Sequence, residues 1–564
     1  MPRRNHETNS YQDFVGHLTF KSRSNKESEK PSPETDAELL KLFKELVPQD
    51  KFGEVAVTTA LPEFRAKYNA AIQAGDLEAF LSEFLGQDEP LSSIYVARSN
   101  PDSLTSPADL RIVNNHQPER LRDLESKLEI MLKAIDESSV SEAVKGLYRQ
   151  KVAATRQFIA TALELGQPGF TREQQSSASW SRLLDMEKTA QTGEVTMPYE
   201  DAALTILENN TEAQAVYPNV LEPLDTIWKL SEKEKAAFQY ETLNENTLTL
   251  TPEQGKKLFE IILERVDLAD WVVEWSSSSA IDVNAPAKKI SFPQTRELSG
   301  DDIAYVIAHE LIHVLRGVNG AKQSASILES GMDDYLATEE GLATLSEMIV
   351  GQPFGHRRQA LFAARYWAVA QALKVEFDPT TQEKRAKYTM QEIFDKLVEF
   401  NISVKDATEI VWRISRGTSL KRKVVDVEIE RETVAVAETF TKDSVYFVGQ
   451  MMMFNVFKEI MPLLEGENVK GVIKDAGSFS DRVLARIGRA IVKEQVSEQD
   501  DTTVQDRAEV YAFLVKLGRE ALLGILQYFI PGKMTLEAAY DPEWLSVLQR
   551  DSLTQYRKIF TAKE

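Results

Sequence analysis

Two histidines four residues apart enclose a glutamate in the run His309-Glu310-Leu311-Ile312-His313, in a chain of 564 residues with only six histidines. At about 100° per residue, a four-residue step returns to the same face of a helix, where two imidazoles can converge on one metal ion. Glu310 leaves the helix on the neighbouring flank, placed to reach a water on that metal rather than the metal itself. These residue types at this spacing point to zinc and to hydrolysis, with Glu310 as the general base. A buried helix whose histidines only satisfy hydrogen bonds is the plainer alternative. It suits a lone histidine better than the full pentad.

The surrounding residues read as a helix on independent grounds. From Ser299 the chain runs Ser-Gly-Asp-Asp-Ile-Ala-Tyr-Val-Ile-Ala before the pentad, then Val-Leu-Arg-Gly after it. Ser299 is a candidate cap, and Asp301 and Asp302 suit the positive end of the helix dipole. Ile303, Ile307, Leu311, Val314 and Leu315 recur at three- and four-residue steps, which makes a core-facing stripe. Arg316 and Gly317 then read as a cationic last turn and a stop.

A catalytic zinc takes three protein ligands and keeps one position open. The third ligand must come from another segment, and Thr338-Glu339-Glu340-Gly341-Leu342-Ala343 is the best source. It opens a second helical pattern, with Thr338 as candidate N-cap and Leu342, Leu345 and Ile349 facing inward. Acids in a first turn also complement the dipole, at roughly 0.3–1 kcal/mol each. Spacing therefore leaves Glu340 in competition with Glu339, Asp333 and Asp334.

Taken together, these segments resemble the tyrosine-carboxypeptidase domain family. That family includes the microtubule-associated tyrosine carboxypeptidases of eukaryotes and bacterial proteins with a Gln-Glu-Gly-Leu-Ala motif. The resemblance is carried by Ala308-His309-Glu310, His313-Val314-Leu315-Arg316, Asn319-Gly320 and Glu340-Gly341-Leu342-Ala343. It continues through Ala364-Arg365-Tyr366, Ala368-Val369, Arg413, Arg416-Gly417, Phe440-Thr441-Lys442-Asp443, Tyr446 and Gly449. It covers roughly residues 250 to 460. Two positions depart from the family pattern. Glu339 stands where the bacterial motif has Gln, and the eukaryotic members carry one more residue between the histidines. The spacing here is the one that a regular helix requires.

The resemblance implies that Glu340 completes a zinc site with His309 and His313, one ion per chain. It also implies a carboxypeptidase acting on a peptide or protein C-terminus, with preference for an aromatic last residue. Such an enzyme needs a cation for the terminal carboxylate, and arginine or lysine is the natural partner. Arg413, Arg416 and Lys442 are the candidates, with Tyr446 four residues after Lys442 on the same helical face. Each could equally be a surface ion-pair residue. Arg365, Tyr366 and Trp367 read as helix packing with a polar edge.

Composition bounds the setting. A net charge of −22 argues against nucleic acid and anionic membranes as partners. The absence of cysteine removes disulfides, thiolate ligands and a cysteine nucleophile. The N-terminal residues show no apolar stretch of signal-peptide type, and no run reaches membrane-spanning length, so a cytoplasmic protein is expected. The pattern does not fix an oligomeric state.

The expected fold is mainly α (α+β): a gluzincin-like zinc peptidase core with a small mixed sheet before the zinc helix, flanked by helical N- and C-terminal regions. Residues 1–35 read as a flexible polar tail, 36–250 as a helical region, 251–464 as the catalytic core and 465–564 as a helical C-terminal region. Within them, 121–135 and 141–165 are predicted helices, and 270–275, 281–284 and 289–293 predicted strands. An edge strand just before a zinc helix can pair with an extended peptide. Further helices are expected over 357–377, 389–400, 404–415 and from 443 onward, with a strand over 424–429. The functional reading is a zinc metallocarboxypeptidase. An endo- or aminopeptidase with the same zinc core, or a non-catalytic zinc-bound binding protein, are the alternatives.

Overall fold

The computed structural model describes residues 34–46, 118–164, 199–210, 231–237 and, with short gaps, 249–465, together with a few shorter pieces. The expected tail over 1–35 lies almost wholly outside the described residues, as does the expected C-terminal region beyond 465.

The first half supplies α1 (Asp36–Leu46), the strands β1 (Thr58–Ala60) and β2 (Tyr95–Ala97), and the helices α2 (Pro118–Glu137) and α3 (Glu142–Glu164). The last two correspond to the helices predicted there. β3 (Glu187–Lys188) and β4 (Val195–Thr196) form a small antiparallel pair, and α4 (Glu200–Glu208) and α5 (Glu232–Ala237) follow. None of these four strands was expected in a region read as helical.

β5 (Thr249–Leu250) leads into α6 (Pro252–Arg265), which opens on a capping box. The Thr251 hydroxyl accepts from the Gln254 amide at 3.3 Å, and the Gln254 side chain accepts from the Thr251 amide at 3.0 Å. Next come β6 (Val272–Ser276), β7 (Asp282–Asn284) and β8 (Lys289–Pro293), close to the predicted strands. They form a mixed sheet of order β6-β8-β7, with β6 parallel and β7 antiparallel to β8. Phe292 of the central strand is buried between Phe259 of α6 and Trp275, both edge-on, at 5.8 and 6.1 Å. Edge strand β7 packs on the helix that follows.

That helix is α7 (Asp302–Ala321), preceded by β9 (Leu298–Ser299). Two expectations need correction here. Ser299 is not a helix cap, because it pairs with Thr249 in the β5-β9 ladder. Arg316 and Gly317 do not end the helix either; it runs through both and through Gly320. The reason is burial. Ile307, Ala308, Leu311, Ile312, Val314 and Leu315 are all enclosed, so packing surrounds the helix and outweighs the glycine's weak propensity.

A 3₁₀ turn (Ser326–Glu329) leads to α8 (Tyr335–Val350) and α9 (His356–Leu373). α8 starts ahead of Thr338, which is buried inside the helix rather than capping it. The helix predicted to 377 stops at Leu373. Val375-Glu376-Phe377 instead forms β10 (Val375–Phe377), whose backbone pairs with β11 (Lys384–Ala386). α10 (Met390–Glu399), capped by Thr389, and α11 (Val404–Ile414) match the predicted helices. β12 (Val424–Ile429) is the predicted strand, and its hairpin partner β13 (Glu432–Ala437) was not foreseen. A 3₁₀ turn over Lys442–Ser444 then enters α12 (Val445–Glu465).

The site is framed by α7, α8, α9 and α12. α8 lies between α7 and α12, and its crossing with α12 is made by two glycines. A Cβ on Gly341 would collide with the Gly449 carbonyl, and one on Gly449 would collide with the Ala337 carbonyl. Only backbone fits at this crossing. α4 packs on α9, where the Tyr199 amide donates to the Tyr366 hydroxyl at 3.2 Å. The described chain is therefore mainly helical with small sheets. No helix among the described residues is long and apolar enough to cross a membrane.

Candidate metal centre

The buried stripe of α7 fixes the roll of the helix, and the roll fixes the histidines. His309 and His313 project from one face with ring centroids 5.0 Å apart. Glu340 reaches them from α8. Its Oε2 stands 3.1 Å from His309 Nε2 and 3.9 Å from His313 Nε2. One ligand atom from each of the three residues lies within 4.8 Å of the others. Ligands about 2.0–2.1 Å from a tetrahedral zinc stand roughly 3.3 Å apart, so these separations suit a shared ion.

Glu340 Oε2 gives the sharper test of fit. It is buried and has no well-formed hydrogen bond, although it lies against both imidazoles. A buried carboxylate oxygen without a partner is costly unless a cation takes that role. The donor set, two imidazole nitrogens and one carboxylate oxygen, is that of a catalytic zinc site with an open position. Among the described residues, these three side chains fit a divalent metal.

The opposite ring nitrogens are held as such a site requires. His309 Nδ1 is 2.8 Å from Glu347 Oε1, and His313 Nδ1 is 2.9 Å from Glu339 Oε1. Each Nδ1–H donates to a carboxylate, which turns the Nε2 edge toward Glu340. The two carboxylates are themselves paired: Glu347 accepts from Arg358 at 2.7 Å, and Glu339 accepts from the buried Arg316. Burial opposes charge on His309, but the neighbouring carboxylates of Glu340 and Glu347 outweigh that and push its pKa up to about 10.

The formal charges tell the same story. Glu339 and Glu347 are each matched by an arginine. Glu340 and Glu310 have no arginine or lysine in ion-pair contact among the described residues. Two carboxylates without an arginine or lysine in contact, set beside two imidazoles, suit a bound cation.

Glu310 follows His309 on α7 and remains partly exposed. Desolvation raises its pKa above the usual carboxylate range, against the pull of the two histidines and Arg296. Tyr446 enters from α12. Its ring is tilted against His309 with centroids 6.5 Å apart and stacks on Phe362 at 5.6 Å and 5°. The negative charge of Glu340, and then burial, raise the phenol's pKa, so Tyr446 keeps its O–H proton at neutral pH.

Residues 229–468 match the family model for microtubule-associated tyrosine carboxypeptidase. The match runs from just before α5 to the end of α12, and so contains His309, Glu310, His313, Glu340 and Tyr446. It begins about 20 residues earlier than the span over which the sequence resemblance was drawn. No curated protein was found to match the chain.

The basic residues singled out from the sequence fall in different places. Arg413 is committed to two carboxylates: the buried Asp443, which it meets in a close pair, and Glu409 at 3.2 Å. Arg416 and the side chain of Lys442 lie outside the described residues, as do Asp333 and Asp334. Tyr366 and Trp367 are core residues, as expected. Arg365 is not simple packing, since its guanidinium carbon stands 5.5 Å from the centre of the Tyr446 ring.

Sequence reasoning missed Glu347, Arg358 and the true role of Arg316, and it weighed Glu339 as a dipole partner or a rival ligand rather than as the partner of His313. The signal was present in the spacing. Glu340 and Glu347 are seven residues apart, two turns along one face of α8, and His309 and Arg316 bear the same relation on α7.

Proposed function

We propose that this chain is a zinc-dependent metallocarboxypeptidase that removes one residue, preferentially aromatic, from a peptide or protein C-terminus. The observation that carries this reading is the convergence of His309 Nε2, His313 Nε2 and Glu340 Oε2, inside the segment that matches the carboxypeptidase family. Direction of attack and aromatic preference come from the family description. The gluzincin-type core, the boundaries of the catalytic region at 251 and 464, one zinc per chain and a cytoplasmic setting belong to the same proposal.

His309, His313 and Glu340 would hold the zinc, which supplies a Lewis acid and lowers the pKa of a water bound to it. Glu310 takes a proton from the attacking water onto a carboxylate oxygen, and its raised pKa suits it to that work. It then delivers the proton to the departing amine, so one carboxylate serves both halves of the reaction. Tyr446, kept protonated beside Glu340, donates a hydrogen bond to the substrate carbonyl oxygen as negative charge builds there. Glu339 and Glu347 keep both imidazoles turned toward the metal. Glu310 beside the cluster supports this reading over that of a binding protein, which has no use for a general base.

Elemental analysis of purified protein, with parallel assays of Glu310→Gln, tests this reading. The expected result is about one zinc per chain in both proteins and turnover in the unsubstituted one alone. A protein that takes up no metal after full zinc supply, or Glu310→Gln with undiminished turnover, contradicts it.

A further inference from the structure

A carboxypeptidase must hold the terminal carboxylate of its substrate beside a site that already carries the charges of Glu310 and Glu340. Only a cation not neutralised by a protein carboxylate can do this well. Three arginines around the site are excluded by that condition. Arg316 is paired with Glu339, Arg358 with Glu347, and Arg413 with Asp443 and Glu409.

Arg365 meets the condition. It makes no ion pair with any described carboxylate, and its Nε is buried without a hydrogen-bond partner, while the side chain as a whole stays partly exposed. Its guanidinium lies 5.5 Å from the centre of the Tyr446 ring, which itself leans on His309. The face of α9 that presents it is the face turned to the metal centre. Arg358, Phe362 and Arg365 follow at four- and three-residue steps, and Arg358 reaches the Glu347 that holds His309. A guanidinium is planar in itself, and one placed over an aromatic ring can keep an N–H edge available for a two-pronged bond to a carboxylate.

We propose that Arg365 binds the terminal carboxylate of the substrate and so sets the enzyme to cut one residue from the end. This inference rests on the carboxypeptidase reading above and adds the residue that would enforce it. Arg365 takes this role ahead of Arg413, whose ion pairs with Asp443 and Glu409 would have to break first.

The test is equilibrium binding to zinc-loaded Glu310→Gln protein. The probes are one peptide ending in tyrosine and the same peptide with a C-terminal amide. With Arg365 in place, the free acid is expected to bind at least about tenfold more tightly than the amide, as for a charge-assisted pair. In Glu310→Gln/Arg365→Met that preference is expected to disappear through loss of acid binding, while amide binding is unchanged. Arg365→Lys, which keeps the charge without the planar fork, is expected to retain a reduced preference, and it carries the test should the methionine variant not fold. An undiminished acid preference in either variant overturns the role of Arg365 and leaves the carboxypeptidase reading intact. No acid preference in the Arg365 protein removes this proposal, and if the enzyme also cuts peptides internally, the carboxypeptidase reading falls as well.

Discussion

Gly341 and Gly449 meet backbone to backbone where α8 crosses α12, and each occupies the space that the other's Cβ would need. Gly341 follows Glu340 directly, and Gly449 lies one turn after Tyr446. The crossing therefore sets how closely the proposed metal ligand and the proposed oxyanion donor approach. Gly449→Ala is expected to destabilise the protein by about 1–3 kcal/mol or more, because the collision is with backbone that cannot rotate aside. Denaturant midpoints with an unchanged slope would check this, and an unshifted midpoint would count against so tight a crossing.

Glu347 and Glu339 orient the two imidazoles without touching the proposed ion. Glu347→Gln and Glu339→Gln are each expected to weaken zinc binding by about 10–100-fold, since such partners fix the tautomer and basicity of a ligating histidine. Competition with a chelator of known affinity measures the change. Equal affinity in both variants would mean that these carboxylates only satisfy the ring nitrogens.

Zinc should also stabilise the fold, because His309 and His313 on α7 and Glu340 on α8 are brought together only in the native state. Zinc at one hundred times its Kd contributes about 2.7 kcal/mol by mass action. Thermal unfolding is expected to shift upward with zinc and back down with chelator, and Glu340→Gln is expected to remove most of the shift. A melting temperature that ignores zinc in the unsubstituted protein contradicts binding at this site.

Arg413, itself partly buried, pairs with the buried carboxylate of Asp443. Arg413→Met leaves the Asp443 carboxylate buried without its arginine, a kind of change that costs about 3–5 kcal/mol. The expected signature is a lower midpoint of unfolding rather than a raised KM in a stably folded enzyme. A variant of normal stability with strongly raised KM would return Arg413 to the substrate-binding role that the sequence suggested.

Much of this site was legible because its parts are local. The pentad, the alternating strands before it and the Thr389 and Val404 helices depend on spacing and composition within a few residues. Thr389 with Glu392 forms a capping box that can be read directly from the sequence. The misreadings share a different origin. Arg316 looked like the cation of a last turn because its partner, Glu339, lies on another helix; with most of α7 enclosed by packing, Gly317 does not act as a stop. Glu347 shares a face of α8 with Glu340, but the histidine it holds lies on α7, so its role follows only from the approach of the two helices. Arg365 was grouped with Tyr366 and Trp367 as packing, yet adjacent helix positions point about 100° apart, and only Arg365 turns toward Tyr446.

The His309-His313-Glu340 cluster is proposed to serve a carboxypeptidase. Digestion of a mixed peptide library by zinc-loaded protein, read by mass spectrometry, tests this most directly. The expected products are shorter by a single C-terminal residue, enriched for aromatic losses, and absent with Glu310→Gln. Internal cuts, trimming from the amino end, or an intact library with zinc fully bound would contradict the proposal.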